Sequence, residues 1–169
     1  MNLINIIFAV LLSYFLGAIP TSYIIAKVLK GIDIREHGSR NVGATNVMRV
    51  VGKGPGIIAL LLDAAKGLLP VVLIAPVFYK TGIISEPSFR VLLGISAVCG
   101  HIWTIFLKFK GGKGVATTIG VFMGLSPFIM AAGLLCWLVV AFIFKYVSLS
   151  SLAMAAILPF LMILFSRPI

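Results

Sequence analysis

The stretch Gly38-Ser39-Arg40-Asn41-Val42-Gly43-Ala44-Thr45-Asn46-Val47-Met48-Arg49 gathers glycines, hydroxyls, amides and arginines in a chain that is otherwise nearly all apolar. Gly38 and Gly43 allow close backbone approach, Ser39 and Thr45 offer hydroxyls, Asn41 and Asn46 offer amide donors, and Arg40 and Arg49 offer guanidinium forks. That set suits an anion, above all a phosphate. An ordinary polar turn carrying topology charges is the plain alternative, but such a turn does not require two Asn, a Ser, a Thr and two Gly at this density.

A second stretch, Lys108-Phe109-Lys110-Gly111-Gly112-Lys113-Gly114-Val115-Ala116-Thr117-Thr118, repeats the recipe. It is not a nucleotide P-loop, which needs Ser or Thr after Gly-Lys, whereas Gly114 follows Lys113. What remains is a glycine loop, a lysine and a helix expected to start near Val115, whose N-terminal amides attract negative charge. A third junction, Lys145-Tyr146-Val147-Ser148, again joins a cation to a hydroxyl, although Ser at a helix start is commonly an N-cap.

Asp63 and Lys66 lie one helical turn apart inside an apolar run, so they can meet on one face. They pair structurally, or they orient an arginine of the first loop. His101 sits in the run leading into the second loop, either as a proton acceptor or as a hydrogen-bond link to another helix. The chain has no His-x4-Asp acyltransferase motif, no Ser-His-Asp set, no metal-ligand cluster and no catalytic carboxylate pair. Chemistry here must come from positioning and from stabilising negative charge.

These loops need elements to hold them. Of 169 residues, 61% are hydrophobic and 11% charged, and the mean hydropathy is +1.19, which no water-soluble surface tolerates. Apolar runs lie at about Leu3 to Leu29, Ile57 to Phe78, Val91 to Leu107, Phe128 to Phe144 and Leu149 to Phe165, with a shorter one from Val115 to Leu125. Each long run suits a helix of roughly 20 residues, so the expected fold class is all-α, a polytopic transmembrane bundle of about six crossings. Continuous runs exclude a β-barrel, whose strands alternate. Gly17 and Pro20 predict a kink in the first run, with packing or freed carbonyls as its two uses. Pro127 predicts a break between Val115 and Phe144, read as a hairpin.

The formal charge of +10 does not indicate nucleic acid, because the cations sit at the ends of apolar runs. With the N-terminus outside, Lys27, Lys30, Arg35, Arg40, Arg49, Lys53, Lys108, Lys110, Lys113 and Lys145 fall inside, while Lys80, Arg90 and Arg167 fall outside. Cys99 and Cys136 each lie in an apolar run and predict no disulfide.

With Gly38 to Asn46 continuing to Arg49, Gly100-His101 followed by Phe109 to Thr117, Tyr146-Val147-Ser148-Leu149, and the segment Asp63 to Gly67, the chain resembles the bacterial acyl-phosphate-dependent glycerol-3-phosphate acyltransferase family over essentially its whole length. The resemblance implies transfer of a fatty acyl group from acyl phosphate to the 1-hydroxyl of glycerol 3-phosphate, giving lysophosphatidic acid and phosphate, the first step of phospholipid synthesis. The implied site has Ser39, Arg49, Lys113 and His101 as catalytic candidates. Asn41, Gly43, Thr45, Asn46, Gly111, Gly112, Gly114, Thr117 and Ser148 are substrate-binding candidates, with Asp63 and Lys66 supporting them from behind. No cofactor and no metal are implied. The expected partners are the two phosphorylated substrates, the lipid bilayer and the enzyme that forms acyl phosphate. The expected location is the bacterial inner membrane, multi-pass, with the site loops cytoplasmic. Two departures stand out: Arg40 occupies a position where the family often has a small residue, and a seventh crossing with a His-x-x-Asn element is expected to be missing from this single domain, residues 1–169. The competing expectations are a small-anion transporter or channel and a catalytically inactive scaffold.

Overall fold

A computed structural model describes residues 2–80 and 83–165, and every regular element among them is helical. Among the described residues, five helical stretches are long and apolar enough to cross a membrane: Leu3–Lys30, Lys53–Phe78, Glu86–Leu107, Pro127–Phe144 and Val147–Phe165. Val115–Leu125 is a sixth, shorter apolar helix. At the helical rise it spans about 16 Å, roughly half of a hydrocarbon core. Side chains such as Phe8, Leu61 and Ile95 lie exposed on the long helices, as lipid-facing surfaces require. Arg167 lies outside the described residues.

The described residues form two compact units, which divide between Leu125 and Ser126. In the first, the expected kinked opening helix is two helices, α1 (Leu3–Ala18) and α2 (Thr21–Lys30), broken at Ile19-Pro20. Pro20 has no N–H and interrupts the ladder, so carbonyls at the break turn to partners outside the helix. Two carbonyls at the break accept from other elements: Thr104 Oγ1 donates to Ala18 O at 2.5 Å, and Lys66 Nζ to Ile19 O at 2.8 Å, beside Thr21 N at 3.0 Å. The break is therefore a bonded junction. Gly31, at φ 69°, closes α2 in the left-handed conformation.

The first polar loop carries a 3₁₀ turn, Ile34–Glu36, and a short helix α3 (Ala44–Val50) that starts at Gly43. Helix α4 (Lys53–Leu69) runs through a π-helical turn, Pro70–Ile74, into α5 (Ala75–Phe78), the proline again removing a ladder donor. Helix α6 (Glu86–Ile102) packs on α1, and α7 (Val115–Leu125) packs on α4. These contacts are close. A Cβ at Gly17 would collide with Ala97 O, one at Gly100 with Tyr14 O, and one at Gly120 with Ala64 O. Small residues let the backbones approach, the usual means of packing helices in lipid. Ser96 Oγ adds a hydrogen bond to Val10 O at 2.7 Å.

The helix breaks at Ser126 before Pro127. The second unit pairs α8 (Pro127–Phe144) with α9 (Val147–Phe165), where Trp137 Nε1 donates to Ser151 Oγ at 3.3 Å and Gly133 lies against Leu158.

Candidate active site

The two glycine-rich loops meet at one end of the first unit. Val42 of the first loop and Leu107 before the second share a buried apolar cluster with Ala26 and Ile34. A Cβ at Gly112 would collide with both Val42 O and His101 Nε2, so the second loop lies directly on the first and on the histidine ring.

Within the first loop the residues divide into scaffold and surface. Asn46 is buried, its Nδ2 donating to Ile34 O, His37 O and Asn41 O at 3.2, 3.0 and 3.1 Å. Its Oδ1 accepts from Ser39 N at 2.9 Å. The expectation that Asn46 orients substrate thus meets a carboxamide whose donors and acceptor already bind the loop itself. Gly43 O accepts from the Asn46 and Val47 amides and so opens α3. Asn41 is half-buried, while Ser39, Thr45, Arg40 and Arg49 face outward. Neither guanidinium makes a hydrogen bond or ion pair with a described residue. Arg35 instead grips Asp33 (Nη2 to Oδ2, 2.6 Å; Nε to Oδ1, 3.0 Å) and lies 5.4 Å from the Tyr23 ring centre on α2.

In the second loop, Gly111 N donates to Ile102 O at 2.9 Å and Gly112 N to His101 O at 3.2 Å. These amides, expected to orient a phosphate, close the C-terminal end of α6, whose carbonyls lack intrahelical partners. Gly114, at φ 79°, turns the chain into α7. Lys113 stands exposed before that helix and has no hydrogen bond or ion pair with a described residue. Thr117 is fully buried on α7, and its Oγ1 finds no partner among the described residues. Its carbonyl is the group that a Cβ on Gly67 of α4 would strike. The threonine therefore sits at the seam between α4 and α7.

Behind the loops lies a buried polar cluster. Asp63 and Lys66 pair at 2.9 Å, as their spacing predicts, and both are almost fully buried. Thr21 Oγ1 donates to Asp63 Oδ1 at 2.5 Å, so α2 and α4 are tied through the broken helix. His101 Nδ1 lies 3.6 Å from Asp63 Oδ1, beyond hydrogen-bond reach, and has no hydrogen-bond partner among the described residues. Thr21, Ser22, Asp63, Lys66, His101 and Thr104 line a small cavity of about 10 Å³ under Gly111 and Gly112. That is room for about one water centre. His101 is a wall of this cavity, enclosed by the glycine turn.

Thr21, Ile19 and Lys66 also border a larger apolar groove of about 310 Å³ between the α1–α2 junction and α4, lined further by Leu16, Ile24, Ile25, Leu62 and Leu69. Thr104 and the paired use of Thr21 and Lys66 were not legible as site features from spacing. The one available signal was the proline break, with hydroxyls following it. Ser148 is exposed in the first turn of α9, within the second unit.

A family profile described as glycerol-3-phosphate acyltransferase matches residues 7–169. The chain is 42% identical over 160 residues to glycerol-3-phosphate acyltransferase 2 of Moorella thermoacetica, covering 95% of this chain and 79% of that one. It is 45% identical over 156 residues to a glycerol-3-phosphate acyltransferase of Trichlorobacter lovleyi, covering 92% and 76%. Among solved structures it resembles PlsY (YgiH), an integral membrane glycerol 3-phosphate acyltransferase in its glycerol 3-phosphate form, with a TM-score of 0.86 at 38% identity over 97% of this chain and 79% of that one. The lysophosphatidic acid form of the same protein matches with a TM-score of 0.84.

Proposed function

The chain belongs to the glycerol-3-phosphate acyltransferase family, and on that premise we propose that it moves a fatty acyl group from acyl phosphate to the 1-hydroxyl of glycerol 3-phosphate, releasing lysophosphatidic acid and phosphate. The observation that carries this reading is the meeting of two loops that leave Arg49 and Lys113 exposed and unpaired among the described residues, beside a helix break that also borders an apolar groove. Unpaired cations serve phosphates, and the groove serves an acyl chain.

The hydroxyl oxygen of glycerol 3-phosphate attacks the carbonyl carbon of the acyl phosphate. An ester C–O bond forms as the C–O bond to the phosphate breaks, and the hydroxyl proton passes to a phosphate oxygen. The donor is already activated, so no side chain need become acylated. Arg49 and Lys113 stabilise charge on the departing phosphate, while Ser39 and Thr45 complete the phosphate contacts. Asn41, Gly43 and Gly114 shape the loops around them. His101, walled in beside Asp63, supports the glycine turn, and Asp63 with Lys66 supports the helix break. The reaction opens phospholipid synthesis and receives its donor from the enzyme that forms acyl phosphate. Residues 1–169 act as one transmembrane acyltransferase domain in the bacterial inner membrane, with the N-terminus outside and these loops cytoplasmic, following the cation distribution.

The test is proteoliposomes supplied with acyl phosphate and glycerol 3-phosphate. Lysophosphatidic acid and phosphate are expected one for one, with acyl-CoA giving no product. Arg49→Ala and Lys113→Ala should each lower turnover by about 100-fold or more with unchanged thermal unfolding. Near-normal transfer by either variant overturns its role, and uptake of glycerol 3-phosphate without product favours transport.

A further inference from the structure

The segment from Trp103 to Lys110 has two faces. Thr104 and Leu107 point inward, Thr104 holding Ala18 O and Leu107 joining the cluster with Val42. Trp103, Ile105, Phe106 and Phe109 point outward, with 54%, 47%, 58% and 58% of their surface exposed. Lys108 and Lys110 flank Phe109, both exposed and both without a hydrogen-bonded or ionic side-chain partner among the described residues.

The backbone produces this display at a cost. Lys108 and Phe109 are consecutive left-handed residues, at φ 55° and 61°. A bulky side chain rarely adopts that conformation, and it persists only where surroundings impose it. Here Phe109 N donates to Thr104 O at 2.8 Å and Lys110 N to Leu107 O at 3.2 Å. The turn is thus locked to the inward face, and it throws Phe109 out between two ammonium groups. Two Phe, a Trp and an Ile outward at the end of an apolar span suit neither water nor a bare loop. They suit the headgroup boundary, where aromatic rings sit with one side apolar and lysines reach phosphate.

We propose that Trp103–Lys110 is a membrane-interface anchor, its aromatic residues seated at the acyl boundary and Lys108 and Lys110 bound to the phosphates of anionic lipids. Charge complementarity selects the occupant, because each lysine beside an anionic leaflet is favoured by about 1 kcal/mol, roughly fivefold. The anchor is followed immediately by the glycines that lie on His101 and Val42, so it holds the second loop at the bilayer surface.

The test reads lipid contact, independent of catalysis. The chain has two tryptophans, so Phe109→Trp is made in a Trp103→Phe, Trp137→Phe background and placed in nanodiscs. Strong quenching by lipids brominated near the headgroup, with weak quenching by aqueous acrylamide, is expected. Trp103 alone, in Trp137→Phe, supplies the same readout if the triple variant does not fold. Free quenching by acrylamide, or quenching by neither agent as at a protein seam, overturns the anchor. Energy transfer to dansyl-phosphatidylglycerol should exceed that to dansyl-phosphatidylcholine, with Lys108→Gln and Lys110→Gln together abolishing the difference. Equal transfer in the parent overturns the anionic preference.

Discussion

The ammonium of Lys66 donates to the main-chain carbonyl of Ile19 at 2.8 Å while resting 2.9 Å from Asp63 Oδ1. One side chain thus closes an ion pair within α4 and ties that helix to the carbonyl exposed at the Ile19-Pro20 break. Removing one partner of a buried pair leaves an uncompensated charge, a loss of about 3 to 5 kcal/mol. Asp63→Ala and Lys66→Ala are therefore expected to lower thermal stability in detergent strongly. Asp63→Leu with Lys66→Leu should recover part of that loss but leave Ile19 O with the Thr21 N–H alone, so activity should stay low. Full recovery of activity by the double variant would show that the helix break does not depend on the ammonium.

Gly112 and Gly54 make a matched pair for the claim that the loops are pressed together. A methyl at Gly112 collides with His101 Nε2 and Val42 O, whereas at Gly54 nothing lies within 4 Å. Gly112→Ala should sharply reduce acyl transfer because both loops must shift. Gly54→Ala, in the first turn of α4, should leave activity unchanged. Turnover by the two purified variants decides it.

Asn46 anchors three carbonyls and one amide of the first loop. Asn46→Ala strands these groups, with an expected cost of about 1 to 3 kcal/mol. Asn46→Asp is worse, since a carboxylate cannot donate to the carbonyls of Ile34, His37 and Asn41. Hydrogen exchange should accelerate between residues 34 and 46 in both variants. Unchanged exchange with lost activity would instead place the carboxamide on the substrate.

Arg35's hydrogen bonds hold the Asp33 carboxyl down to about 2 from the ordinary 3.8. A depressed carboxylate stabilises the fold above its unfolded value, and that contribution disappears as pH falls through the folded one. The difference in stability between the native chain and Asp33→Asn should therefore be constant near neutrality and vanish between about pH 4 and pH 2. Carboxyl-carbon titration by NMR, with Asp33 and Asp63 the chain's two aspartates, checks the value directly. An Asp33 midpoint near 4 would remove the ion pair from the account of the loop.

The sequence by itself determined the helical crossings, the two cation-bearing glycine loops and the Asp63–Lys66 pair. Each follows from local rules: apolar run length, residue types along a loop, and the one-turn spacing of a helix. Pro20 marked the break but not its partners, because Ile19 and Lys66 are 47 residues apart. Only the tertiary structure decided that Asn46 faces into its loop, that Gly111 and Gly112 close α6, that His101 is walled in, and that Phe109 is turned outward. Composition counts donors and acceptors, while their use depends on which groups folding brings within about 3 Å. A residue type suited to phosphate is equally suited to an unpaired carbonyl, and the packing of α1, α4 and α6 around the broken helix chooses between them.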